Sequence, residues 1–375
     1  MTDRKKIVAV ISYPFLPATT GGEISTLQLL TYMSHVHEVT VFTVEPYSPS
    51  YDTGTARFEL IFGMAFKVSR YYSLRLIGTV ANLVNRKQAD WIFFDQPWFG
   101  WLMTALKLVT RKSIFMRSNN IEYLRFKSMG KWYWTLLYIY EKWTYRVADM
   151  VIFVSETDRQ KAIYEFDLKP EKTLLTPYGV TYTDKPEKAG EGNIQQLRHT
   201  LGVKPNEKLI LFFSTLSYFP NYEAVGFIAN EIYPRLMQAS GFAFKLVICG
   251  KGLPDSYLHM LSDKPEIIYT GFVDDISLYI DAADVMINPI VSGGGVKTKA
   301  IDTLARNQRV VSSRTGAEGI RSDVCGTNLI ITNDFDWDAF TQAIVSTISL
   351  PKAIPESFYT EYGWNGIIKK LSARL

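Results

Sequence analysis

The feature that most constrains this chain is a rhythm that recurs in both halves of its 375 residues: short apolar runs alternate with stretches of helical spacing. The runs at 7–12, 39–44, 91–95, 114–117 and 150–154 read as strands, with a helix over 24–33 between the first two. A second series reads as strands at 209–213, 245–249, 267–269, 285–288, 310–312 and 329–331. Runs that are apolar at nearly every residue need cover on both faces, which is the situation of a strand in a parallel sheet flanked by helices. The order strand–helix–strand then predicts an α/β chain with two Rossmann-like, doubly wound parallel sheets. Asn221 and Asp336 read as helix N-terminal signals.

Between the two series the rhythm lapses. The stretch TDKPEKAGEG is polar, charged and rich in Pro and Gly, which predicts a linker. The expected division is an N-terminal domain over 1–183, a linker over 184–205, a second domain over 206–352 and a terminal helical segment over 353–375. In that last segment Trp364, Ile367, Ile368 and Leu371 are spaced for one face, which suits a helix packing back on the N-terminal domain. The length also suits two cores rather than one. Parallel sheets of this kind bind ligands beyond the carboxyl ends of their strands, so an interdomain cleft is the expected place for chemistry.

Composition narrows the partners. Lys and Arg total 41 against 37 Asp and Glu, and a net charge of +4 is too small to point to nucleic acid. Two cysteines, Cys249 and Cys325, permit neither a disulfide framework nor a zinc spacing and predict a reducing compartment. Cys249, inside KLVICG, reads as a buried strand residue. The first apolar run stops at Pro14 and reads as a strand rather than a signal peptide. No run approaches the ~18 apolar residues of a membrane span.

The stretch NPIVSGGGVKTKAIDTLARNQRVVSS carries the chemistry. A strand ends near Pro289, Gly293, Gly294 and Gly295 follow, and a helix is expected to begin at Val296 or Lys297. Glycines let a ligand approach the backbone, and a helix N-terminus offers free N–H groups to an anion. Lys297 and Lys299 add cations where the helix dipole disfavours them, which makes sense if a phosphate sits between. Gly295, Lys299 and Asp302 have helical spacing, so a diphosphate at the glycines would set its nucleoside towards Asp302, where a carboxylate can accept from two ribose hydroxyls. A glycine turn with solvated lysines is the plainer reading of the same residues.

In this stretch, and across nearly its whole length, the chain resembles the retaining glycosyltransferases of the GT-B fold, the large group 1, family 4-like type that includes phosphatidylinositol mannosyltransferases and bacterial surface-polysaccharide transferases. PFLPATTGGE resembles their Pro-rich loop with paired glycines, MRSNNIEYLRF their HN-x-E segment, VADMVIFVSETD their AD-x-V strand and TPYGV their PNGV turn. FSTLSYFPNYEAVGFIANEIYPRL and YTGFVDDISLYIDAADVMINPIVSGGGVKTKAIDTLA resemble the donor-side segments.

The resemblance implies a metal-independent, retaining hexosyltransferase that uses a UDP- or GDP-sugar and needs no cofactor. It implies that Gly21 and Gly22 face the donor phosphates, that Lys299 neutralises the leaving diphosphate and that Asp302 holds the ribose. The acceptor, a glycan, lipid-linked group or protein, would lie against the N-terminal domain. The setting would be surface-glycan assembly in the cytoplasm, at the inner face of the membrane. Three departures matter. Asn119 stands where the family often has His, and Asn cannot act as a base. Gly294 stands at the first position of the Glu-x7-Glu motif and Asp302 at its second. Ser214, Thr215 and Tyr218 replace the Arg and Lys after the first strand of the second domain, leaving Ser214 as a donor contact and Lys251 or Lys297 as the second cation.

Lesser candidates each have a plainer reading. Glu318 could touch the donor sugar or be a loop carboxylate. Glu122 is expected, with Lys299 and Asn119, among the catalytic residues, and with Arg125 it could face the cleft or form a structural salt bridge. Asp274 and Asp275 look like a helix cap rather than a metal site, and His35 and His37 look like surface residues. The segment KWYWTLLYIYEKWTYR could be an interfacial helix meeting anionic lipid through Lys131, Lys142 and Arg146, although burial with partial exposure is favoured. An epimerase of the same fold and a non-catalytic nucleotide- or glycan-binding protein are the competing readings. A nicotinamide dehydrogenase is disfavoured because PFLPATTGG lacks G-x-G-x-x-G.

Overall fold

The computed structural model describes residues 4–181, 186–239, 241–293 and 295–375, with the Ser128 side chain also set aside. The chain divides into two compact units, one made of residues up to Thr181 together with Tyr362–Leu375, the other of Tyr182–Glu361. Each is a twisted parallel sheet covered by helices.

In the first unit the strands are β1 (Lys6–Ile11), β2 (Glu38–Val44), β3 (Glu59–Met64), β4 (Trp91–Asp95), β5 (Ser113–Ser118), β6 (Met150–Phe153) and β7 (Thr173–Leu175). The helices between them are α1 (Gly21–Val36), α2 (Arg75–Lys87), α3 (Gly100–Thr110), α4 (Glu122–Ser128), α5 (Trp134–Val147) and α6 (Glu156–Phe166). The sheet order is β3-β2-β1-β4-β5-β6-β7. The strands are apolar throughout because alternate residues serve two cores. Val8 and Val10 face the cluster that holds α2 and α3, whereas Ile7, Ala9 and Ile11 face the cluster under α1. The strands β3 and β7 were not expected. β3 is an edge strand with half-exposed residues, and β7 has three residues, so neither shows a buried-strand run.

In the second unit the strands are β8 (Lys208–Phe213), β9 (Phe244–Cys249), β10 (Ile267–Gly271), β11 (Val285–Asn288), β12 (Val310–Ser313) and β13 (Leu329–Thr332), ordered β10-β9-β8-β11-β12-β13. Its helices are α7 (Glu191–Thr200), α8 (Phe219–Phe227), α9 (Tyr233–Ala239), α10 (Asp255–Leu261), α11 (Ile276–Ala282), α12 (Thr298–Ala305), α13 (Trp337–Thr347) and α14 (Glu356–Tyr362). Counted within the unit, this is the 3-2-1-4-5-6 order of a doubly wound nucleotide-binding sheet.

Several local expectations change. The span 184–205 is not only a linker: α7 lies in it, and Ile194, Leu197 and Leu201 pack beside Leu209 and Leu211. Its three apolar residues at helical spacing are diluted by polar neighbours, which hides the helix in the sequence. Asn221 does not cap α8. The N-cap is Tyr218, and the Asn221 amide instead donates to the Thr215 carbonyl at 2.8 Å. Asp336 and Asp275 do cap their helices, accepting from Ala339 and Ser277. His37 is buried rather than on the surface, 2.8 Å from the Ser372 hydroxyl, and burial followed by Lys5 and Arg4 lowers its pKa. The terminal segment is broken at Gly363 into α14 and α15 (Trp364–Ser372), and Trp364, Ile367, Ile368 and Leu371 are all buried in the first unit's core.

Candidate functional site

In the second unit, the loops that leave the carboxyl ends of β8, β9, β11 and β12 converge at the point where strand order reverses. Close packing fixes them. A Cβ on Gly250, whose φ is +141°, would lie 1.8 Å from the Ser214 carbonyl oxygen. The Leu216 N–H donates to the Lys251 carbonyl at 2.9 Å, tying the β8 loop to the β9 loop. Gly293, with φ +78°, is held against Pro220 and the Tyr218 hydroxyl, and Ser292 donates to Glu223 at 2.5 Å. Substituents at these glycines would push the loops apart, and the left-handed φ values suit glycine alone.

The glycine loop leads into α12, which starts at Thr298, with Lys297 as its N-cap. Gly295 therefore lies in the loop with φ +81° and is not part of the helical face expected for it. Lys299 and Asp302 do share a face of α12, three residues apart. Lys297 is not an unattached cation: its ammonium donates to the carbonyls of Gly293 at 3.2 Å and Gly295 at 2.8 Å and so braces the loop. Burial lowers its pKa, and the Glu318 carboxylate, coming from the β12 loop, works the other way. Val296 is half-buried beside it, and Gly294 falls outside the described residues.

Lys299 is different. Its ammonium is buried and has no hydrogen-bond partner. It lies 4.4 Å from the centroid of the Phe212 ring. Burial, then the neighbouring Lys297, drives its pKa well below the ordinary lysine value. One turn along, burial pushes the Asp302 carboxyl up to about 7. A cation and a carboxylate, each desolvated and neither paired with the other, are poised for an external partner.

In the first unit, Gly21 and Gly22 are the first two residues of α1, and both are exposed. Thr20 caps the helix, and Glu23 closes a capping box by accepting from Thr19 and Thr20 at 2.9 Å each. Burial would raise the Glu23 pKa, but these hydrogen bonds outweigh it and the net shift is downward. Asn119 follows β5 and is half-buried. Glu122 is buried, and Arg125 holds its carboxylate through Nε at 2.8 Å, the structural pairing that was its plainer reading. Burial raises its pKa and Arg125 opposes this.

Two buried polar groups went unnoticed in the sequence. Asp95 and Arg117, at the ends of β4 and β5, form a fully buried ion pair, with Nε to Oδ1 at 2.8 Å and Nη2 to Oδ2 at 3.0 Å. Tyr13 donates to Asp95, and Arg117 also reaches Ser25 and Thr26 of α1. This network holds the start of α1 on the sheet. Glu141 of α5 is fully buried and accepts from the backbone of Glu122 and Tyr123, both at 2.9 Å, and burial sets its pKa at about 7. The signal was present for the first pair, since IFFD and IFMR each end an apolar run on a charge.

Both halves of the chain match known families, and its fold matches solved structures. Residues 207–349 match the family "Glycosyl transferases group 1", and residues 19–183 match "Glycosyltransferase Family 4". The chain has the GT-B fold of group 1, family 4-type glycosyltransferases. The alpha-monoglucosyldiacylglycerol synthase of Streptococcus pneumoniae is 30% identical over 155 residues, 38% of this chain and 33% of the relative. A glycosyltransferase structure from Rickettsia africae superposes with a TM-score of 0.71 at 15% identity, covering 98% of this chain and 97% of that one. The Anabaena protein HepE, solved with UDP and glucose, gives 0.68 at 15% identity with 99% of both chains covered. The chain spans between 33% and 58% of the length of the curated relatives it matches.

Proposed function

We propose that this GT-B chain is a retaining, metal-independent hexosyltransferase that takes a UDP- or GDP-sugar and glycosylates a glycan, lipid-linked or protein acceptor in surface-glycan synthesis. The observation that carries the reading is the buried, unpartnered Lys299 ammonium behind the glycine loop, with the desolvated Asp302 one turn along α12. In this reading the diphosphate enters where Lys299 and the loop N–H groups from Gly293 to Val296 meet it. An arriving anion offsets the burial that disfavours the charged form of Lys299, and the ammonium stabilises the charge that develops on the leaving group. Asp302 accepts from the ribose hydroxyls. Ser214, Lys251 and Glu318 line the same loops and complete the donor contacts. Gly21 and Gly22, at the start of α1, offer further N–H groups to the donor, and Asn119 is a hydrogen-bonding contact rather than a base. The incoming hydroxyl attacks on the face that the diphosphate leaves, with no protein nucleophile.

The structural neighbour HepE was solved with UDP, which supports testing the uridine nucleotide first. Thermal shift with UDP, GDP, ADP and CMP, on the natural chain and Lys299→Ala, tests the donor site. At ~100 times its dissociation constant a nucleotide adds roughly 2.7 kcal/mol of stability. A shift with one nucleoside diphosphate, absent in the variant, supports the reading, and no shift with any of them overturns it.

Peripheral contact with anionic membrane at the inner face is part of this proposal. No helix among the described residues is long and apolar enough to cross a membrane. In the turn before α5, however, Trp132 is 81% exposed, Leu136 and Ile139 on α5 are 62% and 63% exposed, and Lys131 is exposed next to Trp132. Aromatic and aliphatic side chains over lysines suit a headgroup layer. Pelleting with phosphatidylglycerol vesicles that is lost in Trp132→Ala/Ile139→Ser bears this out, and no pelleting of the natural chain refutes it.

A further inference from the structure

Gln96, just past β4, adopts φ +77° and ψ 154°. Side-chain-bearing residues almost never occupy this region, and such strain persists only where the surroundings impose it, most often at ligand sites. The same residue holds a second anomaly: its Oε1 is buried without a hydrogen-bond partner. A third lies next to it. β1 and β4 pair in parallel up to Ile11 opposite Asp95, so Ser12 and Gln96 are the first residues past these neighbouring strands. Ser12 is 1% exposed, and its hydroxyl also lacks a partner. Two residues with unpaired buried polar atoms therefore leave neighbouring strands at the point where strand order reverses in the first unit's sheet, the place where such sheets take ligands.

The neighbours have a definite chemistry. The Ser12 carbonyl accepts from Arg70 Nε at 2.7 Å and from the Tyr71 hydroxyl at 3.4 Å. The Arg70 guanidinium lies 4.5 Å from the Tyr71 ring centroid. Folding leaves few buried acceptors unsatisfied without a reason, and here an acceptor, a hydroxyl, an aromatic ring and a cation occur together.

We propose that Gln96 and Ser12 form a subsite for the hydroxyl groups of a sugar, with Gln96 Oε1 accepting from a hydroxyl of the bound ring. It rests on the glycosyltransferase reading for one point only, that the sugar held there is the acceptor. The strain at Gln96 keeps the amide turned to the ligand, and Gln96 is a binding residue that determines which hydroxyl is presented.

Saturation-transfer NMR with p-nitrophenyl glucoside, galactoside, mannoside and N-acetylglucosaminide tests the subsite without any donor. The natural chain should bind at least one of them, and Gln96→Ala and Ser12→Ala should weaken that binding about tenfold, the size of one lost hydrogen bond. Gln96→Gly, which removes the amide and relaxes the backbone, should also lose the sugar while raising Tm. UDP binding by thermal shift should stay unchanged in all three variants. Sugar binding by the natural chain with no binding of UDP, GDP or any other nucleoside diphosphate would sink the glycosyltransferase reading and leave the subsite standing. No hexoside bound by the natural chain, equal binding by Gln96→Ala, or a fall in Tm for Gln96→Gly would overturn the subsite.

Discussion

At the scale of single residues, Lys299 combines burial with a missing hydrogen-bond partner, and Asp302 is held towards its neutral form by burial. A buried polar group without a hydrogen bond costs about 1–3 kcal/mol, so Lys299 weakens the fold it sits in. Lys299→Met should therefore raise Tm at neutral pH while abolishing the nucleoside diphosphate shift, the signature of a group kept for binding rather than stability. An unchanged or lower Tm would mean that the ammonium has a partner in solution. Asp302 makes the complementary case. Its carboxyl has a pKa of about 7 in the free protein, raised by burial. Ribose hydroxyls donating to the carboxylate would lower that value, so binding releases a proton. Affinity should then fall as pH drops below about 7 and level off above it. Asp302→Asn should flatten this limb. The same raised pKa means that this group's contribution to folding stability is present at acid pH and fades as pH rises through about 7, so Asp302→Asn should gain most, relative to the natural chain, at alkaline pH.

At the scale of elements, the Asp95–Arg117 pair joins two strands to α1. Both side chains are buried, at 1% exposure each, so removing one charge strands the other. Asp95→Asn should cost about 3–5 kcal/mol in urea denaturation. The double variant Asp95→Leu/Arg117→Met should recover much of that loss, because two apolar groups leave no charge unpaired. If the double variant is as unstable as the single, the pair is not the source of the effect. The ends of these strands were legible in the apolar runs, and the charge at the end of each was the visible sign of the network. The exact start of α12 was not legible, because its N-cap, Lys297, makes no side-chain capping bond of the kind a sequence pattern announces. β3 and β7 were hidden because edge strands need cover on only part of their surface. The helix α7 was hidden because three apolar residues sufficed to dock it.

For the whole molecule, the chain's last residues belong to its first unit. Trp364 packs so closely over the backbone that a Cβ on Gly179 would come within 2.4 Å of its ring. Burying a large apolar side chain contributes roughly 1.5–3 kcal/mol, and Trp364, Ile367, Ile368 and Leu371 are all buried here. A chain ending at Glu361 should lose most of the first unit's stability, seen as an early unfolding transition by circular dichroism. Gly179→Ala should weaken the same unit to a smaller degree. An unaltered transition in the shortened chain would show that the terminal helix adds little.

The sequence alone determined the strand–helix rhythm, and hence two parallel sheets, because apolar periodicity is a local property that each segment must satisfy for itself. It also pointed to the glycine–lysine segment, because glycine and misplaced cations are visible one residue at a time. Only the tertiary structure decided which lysine is braced by its own loop and which is left without a partner, since that depends on whose carbonyls lie within reach. It likewise decided that Glu122 is paired, that His37 is buried and that Gln96 is strained. Burial arises from packing by segments distant in sequence, which no local pattern encodes, and local spacing such as that of Glu122 and Arg125 offers a pairing without deciding it.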